Sequence, residues 1–156
     1  MTDVENAMSD ATGERTAQRG AAIGAHRESV HVFFDDLDAF GMVYRGRFAA
    51  LLERAITGCF TRLGLRLGHP DLNIVVRELL LVFERPLKGI GPVDVTFELE
   101  KLGRTSAAFA FRFHSGDVTH AHGRRVIVKV DPRTGAPEAW TQNTRELLER
   151  MLPATR

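Results

Sequence analysis

Hydrophobic positions change their period once along the chain. Phe48, Leu51, Leu52, Ala55, Ile56, Cys59, Phe60 and Leu63 recur at helical spacing, which predicts one long helix from about Tyr44 to Leu63, stopped by Gly64. Arg47, Arg54 and Arg62 leave only a narrow polar face, so the helix is expected to be buried. Ala49, Ala50, Ala55 and Gly58 allow a sheet to approach it closely. Beyond a loop containing Gly68, Pro70 and Asn73 the period becomes two. Ile74 to Arg85 is nearly continuous apolar, the pattern of a central strand covered on both faces. Val93, Val95, Phe97 and Leu99 alternate with Asp94, Thr96, Glu98 and Glu100, as in a half-buried strand. Ala107, Phe109, Phe111 and Phe113 alternate in the same way. Val118 to Val130 forms another strand, with Val126, Val128 and Val130 on one face. Upstream, the β-branched and aromatic stretch that begins near Ser29 predicts a first strand. Thr141 to Leu152 reads as a short terminal helix capped by Thr141 or Asn143.

The predicted order is strand, long helix, four strands in meander, short helix. Strands joined by short turns pair antiparallel, and a helix that is apolar over most of its surface is best buried by a curved sheet. The fold class is α+β: a curved antiparallel sheet wrapped around one long central helix, the hotdog arrangement. A chain of 156 residues fits one domain, expected over residues 26–156. Residues 1–25 are polar, small and Gly/Ala-rich, without the charged start and apolar centre of a secretory signal, and are expected to be a disordered extension.

Composition excludes more than it selects. A net charge of +1 argues against nucleic acid as a partner. A single cysteine, Cys59, rules out an intrachain disulfide and fits a reducing, cytoplasmic setting. No apolar run approaches the roughly 20 residues of a membrane span, so no membrane partner is expected.

The chemistry concentrates between Phe33 and Tyr44, where the first strand joins the start of the buried helix. Unpaired backbone N–H groups at a helix N-terminus can hold an anion or a developing oxyanion. A carboxylate placed just before them can attack a thioester carbonyl or activate water. Those two parts are nearly all that thioester hydrolysis requires.

The run Asp36-x-Asp38-x-x-Gly41-x-Val43-Tyr44, with its helix and the later strand end Phe83-Glu84-Arg85-Pro86, resembles the 4-hydroxybenzoyl-CoA thioesterase and YbgC-like group of the hotdog superfamily. The resemblance runs from about Val30 to the terminal helix. It implies acyl-CoA thioester hydrolysis with Asp38 as catalytic nucleophile or general base. Gly41 keeps the turn tight, and the backbone N–H of Arg45, just past Tyr44, polarises the thioester carbonyl. Tyr44 and Arg47 fall among the substrate-binding positions, and the turn at Arg104, Thr105 and Ser106 is the nearest match to the group's contacts with CoA phosphates. No cofactor is implied, since coenzyme A is part of the substrate, and no metal. The partners implied are an acyl-CoA or acyl-carrier-protein thioester and further copies of the chain, as a homodimer or homotetramer with the acyl pocket between subunits. Relatives often carry His or Tyr where this chain has Arg45, and Asn where it has Arg47. Arg45 or Arg47 is therefore expected to recognise an anionic group on the acyl part or the carrier.

Other residues offer rival readings. Asp38 alone could be a turn or helix-capping aspartate, and Asp35 and Asp36 are expected to be structural. Glu53, mid-helix, is the rival base, otherwise ion-paired with Arg54, Arg77 or a partner chain. His114, His120 and His122 lie on late strands without a third ligand at metal-site spacing. Cys59 lacks an activating histidine. Arg85, Lys88, Lys101 and Arg104 could form a basic rim for CoA phosphates, and Trp140 is expected to pack the terminal helix. A hydratase would need a histidine near the helix, and the helix has none. A non-catalytic acyl-thioester-binding module would not need Asp38.

Overall fold

The computed structural model describes residues 26–153. The disorder expected for residues 1–25 lies outside them. Strands are β1 (His26–Val32), β2 (Ile74–Phe83), β3 (Gly91–Leu102), β4 (Ser106–Ser115) and β5 (Val118–Lys129), and helices are α1 (Arg47–Arg62) and α2 (Gln142–Glu149). The strands form one five-stranded antiparallel sheet in the order β1-β3-β4-β5-β2. This is the α+β hotdog arrangement expected from the sequence.

One face of the sheet carries α1. Phe48, Leu51, Leu52, Ala55, Ile56, Cys59 and Phe60 are buried in one cluster with Val93, Val95, Phe97, Leu99, Phe109 and Phe113. Burying each large apolar side chain contributes about 1.5–3 kcal/mol, so this contact dominates the fold. Phe48 meets Phe113 edge-on at 5.1 Å and Phe83 at 5.3 Å. The helix begins at Arg47, three residues later than the periodicity predicts. Tyr44 N–H donates to Asp36 O (2.9 Å), which holds residues 44–46 in a turn before the helical ladder starts.

Two expectations about the sheet are corrected. The four later strands are not a simple meander: β3, β4 and β5 are, but β2 pairs with β5. Nor is β2 a covered central strand. It is an edge, and Val75, Val76, Leu79, Leu80, Val82 and Phe83 are exposed. Continuous apolarity reports that a surface is to be covered, not which chain covers it. The helix leans towards β1 instead, where Arg62 pairs with Glu28, Arg54 with Asp36, and Gly58 faces Glu28.

At the end of the sheet where β3 meets β4, a buried polar network ties β5 to α2. Lys129 Nζ lies 2.6 Å from Asp71 Oδ1 and donates to Ala139 O. Thr141, the α2 cap, donates its hydroxyl to Asp71 Oδ2 and its N–H to Oδ1. Burial alone would push the Asp71 carboxyl up, but the hydrogen bonds from Lys129, Thr141 and Thr144 outweigh it and hold the group at about 2. Trp140 is buried beside this network and donates Nε1–H to Ser106 O, as its packing role required. Among the described residues no helix is long and apolar enough to cross a membrane.

Asp71→Ala takes the nearer of two carboxylates from buried Lys129, leaving Glu138 at 3.4 Å, and is expected to cost about 3 kcal/mol in denaturant unfolding. The Asp71 carboxyl lies below its ordinary value, so its stabilisation is complete above about pH 4 and disappears as pH falls towards 2. Stability measured against pH is therefore expected to drop through that window in wild type, with this part of the dependence absent in Asp71→Asn.

Candidate active site

The segment between β1 and α1 is built around two aspartates with different tasks. A single 3-10 turn, Phe34–Asp36, ends on Asp36, which is buried. Its Oδ2 accepts the Phe33 N–H at 2.9 Å, while Arg47 Nε and Arg54 Nη1 flank the carboxylate at 3.8 and 3.7 Å. Arg47 also donates to Asp35 O. Asp35, Asp36 and Arg47 thus latch the loop onto the first turns of α1.

Asp38 closes the next turn. Its N–H donates to Met42 O, and its own carbonyl accepts the Gly41 N–H. Its Oδ1 accepts the N–H groups of Phe40 (2.8 Å) and Met42 (3.1 Å). Gly41 sits at φ +72°, where a side chain would be strained. The half-buried carboxylate keeps its second oxygen, Oδ2, without a partner among the described residues. The turn is pinned from outside by the segment after β2. Val43 N–H donates to Leu87 O, Gly89 N–H donates to Gly41 O, and Met42 bridges Lys88.

Tyr44, Arg45 and Gly46 follow, all exposed. The backbone N–H groups of Arg45 and Gly46 have no acceptor among the described residues. The Arg45 guanidinium lies over the Phe83 ring, 5.4 Å from its centroid, and makes no ion pair there. A Cβ on Gly46 would lie 2.8 Å from the Tyr44 ring, so glycine lets Tyr44 fold over the start of the helix. A free carboxylate oxygen and free backbone donors thus flank one short stretch of chain, as nucleophilic attack on a carbonyl requires.

The structure gathers Asp38, Gly41, Tyr44, Arg45 and Arg47, but not Arg104 and Ser106. Those two lie beyond the far end of β3, whose 12 residues at about 3.3 Å each span roughly 35 Å. Within one chain they are remote from Asp38, and the supposed basic rim is split, with Arg85 and Lys88 at one end of the sheet and Lys101 and Arg104 at the other. Ser106 O instead accepts from Gly103 and Trp140.

Glu53 pairs with Arg125 of β5 at 2.6 Å, a partner the sequence reading did not name because only the sheet register puts Arg125 on the helix-facing side of β5. Burial, reinforced by Glu28, pushes the Cys59 thiol up to about 11, which leaves it a poor nucleophile. His114 bonds Thr96, His122 pairs with Glu84, and His120 bonds Pro86 and Ser115. The pinning role of segment 86–89 also went unread, because its work is done by backbone groups that leave no side-chain signature.

The thioesterase superfamily profile matches residues 40–121, just over half of the chain, starting two residues past Asp38. The chain belongs to the thioesterase superfamily. It is 28% identical over 119 residues to the acyl-CoA thioester hydrolase YbgC of Escherichia coli O6:H1, covering 72% of this chain and 87% of that one, with the same figures for YbgC of Shigella flexneri. Among solved structures it superposes on a predicted thioesterase from Bacillus stearothermophilus with a TM-score of 0.73, at 20% identity over 82% of this chain and 96% of that one. A thioesterase from Thermus thermophilus complexed with coenzyme A and zinc gives 0.70 at 24% identity, over 83% and 95% of the two chains. These superpositions show the hotdog fold, and the superfamily makes the chain a thioester hydrolase.

Gly41→Ala introduces a Cβ at positive φ without a clash. It is expected to cost about 1 kcal/mol by thermal unfolding, with Gly41→Asn costing less.

Proposed function

We propose that this thioesterase superfamily member hydrolyses acyl-CoA thioesters, with Asp38 attacking the carbonyl or activating water and the Arg45 and Gly46 amides holding the oxyanion. The YbgC relatives act on acyl-CoA, and the helix-end geometry fits that substrate. The observation that carries the reading is the division of labour within Asp38. Oδ1 is committed to the Phe40 and Met42 N–H groups, which fixes the rotamer, while Oδ2 stays free.

Attack by Oδ2 would give an acyl-aspartyl anhydride and release CoA thiolate, and water would then cleave the anhydride. As base, Oδ2 would instead take a proton from an attacking water. In either route negative charge builds on the thioester oxygen, where unpaired amides are worth several kcal/mol. Coenzyme A enters as part of the thioester and leaves as the free thiol, and the scheme asks for no resident cofactor or metal. Glu53 is a poorer base because Arg125 already holds it. Of the two arginines, Arg45 is the one placed to meet an anionic group, since Arg47 is spent on Asp35 and Asp36.

The exposed apolar edge of β2 supports assembly of two copies through that strand, so that a neighbour closes the acyl site.

Asp38→Asn separates structure from chemistry. The amide oxygen can still accept from Phe40 and Met42, so the melting temperature is expected to stay within a few degrees, while kcat for acyl-CoA hydrolysis falls on the order of 10²-fold or more. Activity within tenfold of wild type would overturn the assignment of Asp38. Single turnover in oxygen-labelled water distinguishes the routes, since label in the Asp38 side chain marks the anhydride. Arg45→Ala is expected to raise KM for acidic acyl-CoAs by about tenfold and to leave neutral ones unchanged, and equal loss across both would exclude anion recognition by Arg45.

A further inference from the structure

The hairpin joining β4 to β5 carries a group of residues that acyl-CoA hydrolysis by Asp38 does not use. His120 is a bulge residue of β5 and is buried, 7% exposed. Its Nδ1 lies 3.1 Å from Pro86 O, and its Nε2 lies 2.9 Å from Ser115 Oγ. A carbonyl oxygen can only accept, so Nδ1 carries the proton. In the neutral ring Nε2 is then the bare nitrogen, and the Ser115 hydroxyl must donate to it. The His120 carbonyl accepts from both Glu84 and Arg85 (2.9 and 3.2 Å), which fixes the backbone on which the ring stands.

This is the order found in serine acyl transfer: a hydroxyl nucleophile bonded to an imidazole base whose other nitrogen is oriented by a fixed acceptor. Ser115 is exposed, so an incoming carbonyl can reach it. The turn directly after it, Gly116-Asp117, has Gly116 at φ +56°, and neither N–H has an acceptor among the described residues. In acyl transfer to serine, the amide following the nucleophile is a usual oxyanion donor. Burial of His120 argues against a chance surface contact, since a buried ring nitrogen pointed at an exposed hydroxyl is held there by the fold.

We propose that Ser115, with His120 as base and the Gly116 and Asp117 amides as oxyanion donors, is a second nucleophilic site that takes acyl groups from small carboxylic esters. Ser115 Oγ adds to the ester carbonyl as its proton passes to His120 Nε2. The tetrahedral oxyanion collapses with cleavage of the ester C–O bond, and His120 returns the proton to the leaving alcohol. Water then attacks acyl-Ser115 with His120 as base, releasing the acid and restoring the hydroxyl. Atoms and charges balance with water as the sole co-reactant. The site is independent of Asp38 and lies on a different hairpin, so it stands or falls apart from the acyl-CoA reading.

The test is covalent trapping on the full chain. An alkyl fluorophosphonate forms a Ser115 Oγ–P bond with loss of fluoride, and p-nitrophenyl acetate leaves an acetyl group on the same oxygen. Peptide mass spectrometry is expected to place both adducts on Ser115, with none there in Ser115→Ala, while acyl-CoA hydrolysis is retained in that variant. His120→Gln is expected to slow labelling at least tenfold. If His120→Gln fails to fold, Ser115→Cys supplies the same reading, because its thiol beside Nε2 should be alkylated by iodoacetamide at pH 7 at least tenfold faster than free cysteine. No adduct on Ser115, labelling at an unchanged rate in folded His120→Gln, or alkylation of Cys at position 115 no faster than free cysteine would overturn the proposal.

Discussion

The burial of α1 against one face of the sheet is the contact on which the rest depends. It places a row of apolar side chains from Phe48 to Phe60 against β3 and β4, and so fixes where the helix begins. The free amides at Arg45 and Gly46 are placed by that helix start together with the Tyr44 N–H bond to Asp36 O. The loop that carries Asp38 is then held from two sides. Asp36 is clasped by Arg47 and Arg54 of the helix, and the turn itself is tied to the 86–89 segment. Support from both sides suits the proposed oxyanion stabilisation, which needs donors in place before substrate arrives.

Much of this was legible in the sequence. The period change from helix to strand, the extent of the core face on α1 and the alternation in β3 and β4 all follow from where Leu51, Phe97 and Phe109 fall. Asp38 drew attention as a carboxylate between a strand and a buried helix, and the role proposed for it rests on the resemblance carried by Asp36, Gly41, Val43 and Tyr44. What escaped was long-range. Apolar residues from Ile74 to Phe83 announce burial but cannot say that β2 pairs with β5 at an edge. Arg104 was expected at the CoA phosphates and Asp38 at the thioester, yet nothing local records that they sit at opposite ends of β3. Nothing local singles out Arg125, since only the sheet register turns it towards Glu53.

The edge position of β2 bears on the site itself. Phe83, at the end of that strand nearest α1, packs on Phe48 and carries the Arg45 guanidinium. Leu79 and Leu81 continue the same helix-facing side, opposite Arg125 and Gly123. Because α1 leans towards β1, this strip beside the free amides is left open in a single chain. A surface covered by a second copy would therefore also be a wall of the acyl site, so assembly and substrate fit are one packing problem.

The two ends of the sheet use their charges in opposite ways. At the β3–β4 end, Asp71 spends both oxygens on Lys129 and Thr141, and its carboxyl drops to about 2 as a result. Both oxygens are engaged, and the network serves stability. At the other end Asp38 spends one oxygen and keeps one, and consecutive amides go unpaired. The Pro86–Leu87 step serves this end twice, since the Leu87 carbonyl fixes the Asp38 turn and the Pro86 carbonyl fixes the His120 ring. A backbone segment with no reactive group of its own thus orients both the carboxylate and the imidazole, the two groups for which chemistry is proposed.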